Sequence, residues 1–263
     1  MASPEDIAEL EQMAVLAALG VGETQSWTLA RERLERAAAL GGAAAGRQLA
    51  IIDQEPERGW LGAAARERLS AEPRISVARG LLPVAACAWL IQRAQGRTRP
   101  AQTFDSGSGG ARREAGRSNS AWALELADLD LVVLLARARI AATAGVPAGA
   151  LEPIQVLHYA PGQVFDRHYD FLDPEIPGYA AEIARGGQRI ATVLSYLNAD
   201  YQGGETDFPL AGLRFRGEPG DGLLFANVDL AGAPDRRTLH AGLAPTSGAK
   251  WLLSQWVRDR APA

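Results

Sequence analysis

The stretch VFDRHYDF, residues 164–171, sets His168 and Asp170 one residue apart among strand-forming neighbours. Val164, Phe165, Tyr169 and Phe171 are β-branched or aromatic, and a Pro-Gly turn at 161–162 precedes them, so the spacing predicts a strand. In a strand, side chains at i and i+2 leave the same face. An imidazole nitrogen and a carboxylate oxygen could then converge on one ion. Taken alone, His-x-Asp equally describes an exposed pair on a half-buried strand. A third ligand decides between the two readings.

Histidines are scarce enough to make the search short: His158, His168 and His240 are the whole set. His240 lies in RRTLHAGLAP, a strand-like run that ends at a Pro/Gly turn. A His-x-Asp on one strand and a distant His on another can form a two-histidine, one-carboxylate facial triad that leaves coordination positions open for oxygen chemistry. A structural zinc site competes poorly, because it wants four protein ligands, usually with thiolates, and Cys87 is the one cysteine. His158 has the opposite strand phase to Tyr159, expected to face the cavity, and is read as a strand-surface or packing residue.

Composition bounds the rest. With 263 residues and 47% apolar content the chain can fill a proper core. A net charge of −4 and a pI near 5.5 give no general electrostatic case for nucleic acid or an anionic membrane, although RTRP (97–100) and ARREAGR (111–117) are locally basic. Cys87 cannot form an internal disulfide, and MASPEDIAELEQM carries four acidic side chains where a secretory signal places positive charge. No apolar run is long enough to span a membrane. A cytoplasmic setting is expected.

Two textures divide the chain. Residues 1–73 are rich in Ala, Leu, Glu and Arg, with apolar residues at helical spacing in WTLARERLERAAALGGAAAGRQLAII. Within it, LERAAALGGAAAGRQLAI resembles one unit of the Sel1-like helical repeat family. A solenoid generally needs three or more units, so a helical cap is the other reading, and either offers a surface for a protein partner. Residues 74–263 form the second part. Helices are expected at about 83–95 and 121–144, and the polar, Gly/Ser-rich segment 101–120, with Arg112, Arg113 and Arg117, is a candidate lid. From about residue 153, IQVLHYA, VFDRHYDFL, RIATVLSYL, LRFRG, DGLLFANV, TLHAGLA and KWLLSQWVR alternate with Gly/Pro turns, the pattern of a sandwich or jelly roll.

Four blocks in this part carry a family resemblance: Y-x-x-G-x-x-F-x-x-H-x-D at 159–170, G-G-E-T-x-F-P at 203–209, L-H-A-G at 239–242 and G-x-K-W at 248–251. From about residue 75 to 260 the sequence resembles the catalytic domain of prolyl 4-hydroxylases, within the iron(II)- and 2-oxoglutarate-dependent dioxygenases. The resemblance implies an α+β protein whose catalytic domain is a double-stranded β-helix (jelly roll) with flanking helices, preceded by the all-helical segment. It implies iron(II) held by His168, Asp170 and His240, and 2-oxoglutarate chelating that iron beside dioxygen. The far carboxylate would meet Lys250 and the hydroxyls of Tyr159 and Thr192, with L-ascorbate as reductant. An unpaired carboxylate in such a pocket is costly, which gives the lysine its purpose. Lys250 is also the sole lysine beside 26 arginines, and a compact ammonium differs from a guanidinium in size and hydration.

Trp256 matches a tryptophan on the family's substrate side, with packing at the barrel mouth as the alternative, and Arg117 is the candidate substrate contact from the lid. GGETDFP is read as shaping a strand and a tight turn, without a chemical role. Phe165 stands where the family commonly has tyrosine, and segment 172–188 falls in a variable loop. The expected activity is hydroxylation of an unactivated C–H bond, first of a prolyl residue in a peptide or protein, with release of succinate and carbon dioxide. A free amino acid or small metabolite is the second acceptor. A non-catalytic sensing module is the alternative from another class, opposed by the four intact residues His168, Asp170, His240 and Lys250.

Overall fold

The computed structural model describes residues 3–101, 103–105, 110–112 and 116–261. Its elements run α1 (Pro4–Leu19), α2 (Trp27–Ala39), α3 (Ala43–Ile52), α4 (Glu57–Leu61), β1 (Glu67–Ser70), β2 (Ile75–Ala78), α5 (Val84–Ala94), β3 (Arg99–Pro100), β4 (Thr103–Asp105), β5 (Gly110–Arg112), β6 (Ser120–Ala123) and α6 (Leu131–Ala144). There follow β7 (Gln155–Tyr159), β8 (Phe165–His168), α7 (Pro177–Gly186), β9 (Arg189–Tyr196), β10 (Gln202–Gly203), β11 (Thr206–Phe208), β12 (Leu213–Phe215), β13 (Gly222–Ala226), β14 (His240–Gly242), β15 (Pro245–Ser247) and β16 (Lys250–Arg258).

Two compact units emerge: Met1–Gly62 with Glu125–Arg139, and Ala63–Leu124 with Ile140–Ala263. In the first, Ser3 caps α1 by accepting from Asp6 N–H, Asp6 returns the bond, and Pro4 opens the helix. Ser26 caps α2 through Leu29 N–H. The buried stripes are small, Ala14, Ala17 and Ala18 on α1 and Ala30, Leu34 and Ala37 on α2, as the alanine-rich sequence predicts. Two boundaries differ from the sequence reading. The expected helical run 1–73 stops at Leu61, and Glu67–Ser70 is a strand instead, paired with β2. The expected helix at 121–144 starts only at Leu131, because Ser120–Ala123 pairs with β7 as a strand; there sheet pairing overrides local propensity.

The second unit holds an eight-stranded sheet, ordered β1-β2-β13-β9-β16-β7-β6-β3, and a four-stranded sheet, ordered β12-β11-β14-β8. Every pairing in both is antiparallel. One core joins them: Ile75, Leu157, Leu194, Phe225 and Leu252 come from the larger sheet, Phe208 and Phe215 from the smaller. Tyr196 is wholly buried in that core, where its hydroxyl lies 2.8 Å from Thr206 Oγ1 and donates to Phe215 O. The chain is thus an α+β protein with antiparallel sheets. The variable segment 172–188 contains a helix, α7. Among the described residues no helix is long and apolar enough to cross a membrane.

Candidate active site

Strand pairing brings the two ligand candidates of the smaller sheet face to face. His240 on β14 is opposite His168 on β8, and their ring centroids are 4.2 Å apart. The strand predicted over 164–171 ends at His168, so Asp170 sits in the bend just beyond, yet it still converges on the pair. Its Oδ1 is 3.7 Å from His168 Nε2 and its Oδ2 3.6 Å from His240 Nε2. These spacings are too long for hydrogen bonds; they are those of donors facing a common point. The three residues are the one group of metal-ligand type found among the described residues, with donor atoms all within 4.8 Å of one another.

Backbone carbonyls orient both rings. His168 Nδ1 lies 2.7 Å from Asp166 O and His240 Nδ1 3.0 Å from Thr238 O. A carbonyl only accepts, so each Nδ1 carries a hydrogen and each Nε2 faces inward, the nitrogen through which a neutral ring would bind a metal. Burial, then the neighbouring His240, pushes the His168 pKa down to about 3, which keeps its ring neutral in ordinary buffers. Burial by itself would raise the Asp170 pKa, but His240, His168 and the Thr192 hydroxyl outweigh it and hold the carboxylate ionised. Thr192 Oγ1 donates to Asp170 Oδ2 at 2.7 Å and in turn accepts from Asn227 Nδ2 at 3.0 Å.

The position of Thr192 corrects the sequence reading. Thr192 pairs with Trp256, six residues along β16 from Lys250, a separation of roughly 20 Å in an extended strand. Its hydroxyl therefore serves Asp170 and not the Lys250 end. Thr206 on β11, and not Thr192, lines the cavity together with Lys250.

Lys250 is fully buried opposite Tyr159. Its Nζ donates to Gly204 O at 2.6 Å and lies 5.2 Å and 5.6 Å from the ring centroids of Tyr159 and Tyr196. Burial lowers the Lys250 pKa to about 7, against a partial rise from Glu205, while burial raises that of Tyr159 to about 12. The GGETDFP block, read from sequence as a shaping element only, supplies Gly204, Glu205 and Thr206 to this environment. Gly204 has φ +70°, and a Cβ there would press on Tyr201 at 3.0 Å.

One cavity of about 30 Å³ is lined by His168, Asp170 and His240 at one end and by Lys250, Tyr159 and Thr206 at the other. That is room for about one water, so a larger guest enters only as lining side chains move. Trp256 and Arg117 also line it. The Trp256 ring lies under Arg189, whose guanidinium carbon is 3.7 Å from the centroid and which bonds Glu152 through two nitrogens at 2.7 and 2.9 Å. Trp256 Nε1 is buried and has no partner among the described residues. Arg117 stands 4.3 Å from the Phe165 centroid, and Phe165 stacks on His168 at 3.5 Å. Asn119 Oδ1 accepts from Arg117 Nε at 3.1 Å. His158 stays outside the cluster, packed on Trp251 at 4.3 Å. Residues 102, 106–109 and 113–115 of the candidate lid lie outside the described residues.

Comparison with known proteins places the chain in a family. Residues 154–258 match the family model of the 2OG-Fe(II) oxygenase superfamily. Prolyl 4-hydroxylase 1 of Arabidopsis thaliana is 33% identical over 223 residues, covering 80% of this chain and 77% of that protein. The viral collagen prolyl hydroxylase of Paramecium bursaria Chlorella virus-1, solved as a 2-oxoglutarate complex, superposes with a TM-score of 0.54 at 26% identity, over 70% of this chain and 95% of that one. A Trichoplax adhaerens prolyl hydroxylase, solved with a hypoxia inducible factor peptide fragment, shares the fold at 15% identity with a TM-score of 0.52, over 70% of this chain and 83% of that one. The class is that of the 2-oxoglutarate-dependent dioxygenases. Within it, the chain belongs to the prolyl 4-hydroxylase family.

Proposed function

We propose that this dioxygenase hydroxylates prolyl residues within peptides or proteins, with His168, Asp170 and His240 as the iron(II) ligands and Lys250 as the counter-ion for 2-oxoglutarate. The single observation that carries this reading is one cavity with three convergent donors at one end and a buried ammonium at the other. Two imidazoles and one carboxylate suit iron(II) and leave positions for further ligands. The two sheets then correspond to a double-stranded β-helix, because the chain alternates between them: β7 in the large sheet, β8 in the small, β9 in the large, β11 and β12 in the small, β13 in the large, β14 in the small and β16 in the large.

Each residue then has a task. The His168 and His240 rings, held by Asp166 O and Thr238 O, present Nε2 to the metal, and Thr192 keeps Asp170 turned the same way. Lys250 exchanges the Gly204 carbonyl for the far carboxylate of 2-oxoglutarate, with Tyr159 beside it to donate a hydroxyl hydrogen bond and Thr206 joining in by turning its hydrogen away from the Tyr196 hydroxyl. Iron(II), when bound, supplies the centre at which dioxygen can be activated. Apolar walls such as Leu157, Leu194 and Leu252 keep water out, and Trp256 and Arg117 meet the acceptor at the mouth. Overall, 2-oxoglutarate, dioxygen and a C–H bond give succinate, carbon dioxide and C–OH, and L-ascorbate would serve as the reductant. Incubating the chain with iron(II), 2-oxoglutarate, dioxygen and a proline-rich peptide tests this reading by mass spectrometry. Gain of one oxygen on a prolyl residue is expected; succinate released only with a free amino acid or small metabolite would replace the peptide acceptor.

A further inference from the structure

A second cavity, of about 710 Å³, lies on the other face of the eight-stranded sheet, away from the cluster and Lys250. Strand alternation makes it. Ile75, Phe225 and Leu194 point into the shared core, so Ser76, Leu224, Ala226 and Ala191 leave the opposite face. In register, Arg68 on β1 stands beside Ser76 on β2, and Ser76 beside Leu224 on β13. A second row starts at Arg74, whose carbonyl accepts from Ala226 N–H, and continues from Ala226 to Ala191 on β9. Each row thus begins with an arginine, Arg68 on the edge strand and Arg74 in the turn before β2, and runs to small or apolar side chains inward. Arg66, two residues before Arg68, also lines the cavity.

Charge is lopsided there. Three arginines line the cavity and no Asp or Glu does, in a chain of net charge −4. Arg66 and Arg68 make no ion pair or side-chain hydrogen bond among the described residues. Arg74 donates to the carbonyls of Val228 at 2.8 Å and Asp229 at 3.4 Å; the Asp235 carboxylate feels its charge but is itself bonded to Arg237 through both oxygens. The Asp229 carboxylate is engaged elsewhere, accepting from Ala231 and Ala233 N–H.

We propose that this groove binds a medium-chain alkyl carboxylate, its head on Arg66, Arg68 and Arg74 and its chain over Ser76, Leu224, Ala226 and Ala191. The cavity volume falls within the range of small-molecule sites. From β1 to β9 the groove crosses three inter-strand spacings, about 14 Å, the reach of a medium-length alkyl chain. A peptide fits the floor poorly: beyond the arginine end, where Ser70 also lies, its N–H and C=O groups would meet Leu224, Ala226, Ala191 and Val193, with Ser76 as the side-chain partner. A small inorganic anion would leave the apolar floor unused.

Calorimetric titration of the full chain with dodecanoate below its micellar concentration tests the proposal, which stands apart from the catalytic reading. Saturable one-to-one binding is expected, weakened at least about tenfold by replacing the probe with dodecan-1-ol or by Arg68→Glu with Arg74→Glu, since charge-assisted hydrogen bonds to the head are lost. Ser76→Trp, which fills the floor without removing a charge, should weaken it too. Succinate formation in the Arg68→Glu protein should match the wild type. The proposal is overturned by absence of saturable binding, by equal affinity for the alcohol, by binding that both sets of substitutions leave unchanged, or by an acidic peptide that binds more tightly than dodecanoate.

Discussion

The two ends of the central cavity are built on different principles. At the proposed metal end, three donors, two on the small sheet and one in the bend after β8, are each held by a second group: Asp166 O, Thr238 O and the Thr192 hydroxyl. At the other end, one buried ammonium on the large sheet has a single carbonyl partner, Gly204 O. The first arrangement is preorganised, because its orientation does not wait for the metal. The second is poised for exchange, because a charge with one neutral partner gains most from an incoming carboxylate. Metal binding and co-substrate binding should therefore fail separately when residues are changed.

The largest break comes at the metal end. His240→Ala removes one of three donors and should reduce 2-oxoglutarate turnover to background, with the circular dichroism spectrum of the wild type retained; succinate release at wild-type rate would remove His240 from the metal site. Next, Lys250→Ala should weaken 2-oxoglutarate binding by roughly 10²-fold, as expected when a buried charge loses its partner, while iron(II) binding stays within experimental error. Thr192→Val sharpens the contrast. It should lower metal affinity by about tenfold, the low end for a group that orients a metal ligand, and leave 2-oxoglutarate affinity at saturating metal unchanged. The reverse pattern would return Thr192 to the Lys250 end.

The smallest effect is on pH. With its pKa at about 7 in the empty cavity, Lys250 must hold its proton to meet the carboxylate, so the protonated fraction falls as pH rises through that value. Apparent 2-oxoglutarate affinity should then drop by up to about tenfold per pH unit above 7 and show no dependence from this group well below it. Proton uptake on binding at pH 8, measured by calorimetry in two buffers, checks the sign; proton release would contradict it.

What the sequence made legible follows from strand alternation. His168 and Asp170 two residues apart, His240 in a second strand-like run, and Lys250 as the sole lysine could all be read before any coordinates. Thr192 could not be placed, because alternation assigns a face of a strand but not a position along it; only the β9/β16 register puts it beside Trp256. Thr206 escaped for the opposite reason: the glycines around it signalled a turn, and its place in the cavity depends on the long-range pairing of β11 with β14. The strand at Glu67–Ser70 was hidden in a charged, helix-favouring stretch and exists because β2 offers it an edge. Likewise the groove beside it has no motif; its arginines line up only once β1 is paired.

The most direct test measures iron(II) affinity, and 2-oxoglutarate affinity at saturating iron(II), in the wild type, His240→Ala and Lys250→Ala under anaerobic conditions. The account predicts loss of metal affinity in His240→Ala, and in Lys250→Ala an unchanged metal affinity with strongly weakened 2-oxoglutarate binding. Wild-type iron affinity in His240→Ala, or wild-type 2-oxoglutarate affinity in Lys250→Ala, would contradict it.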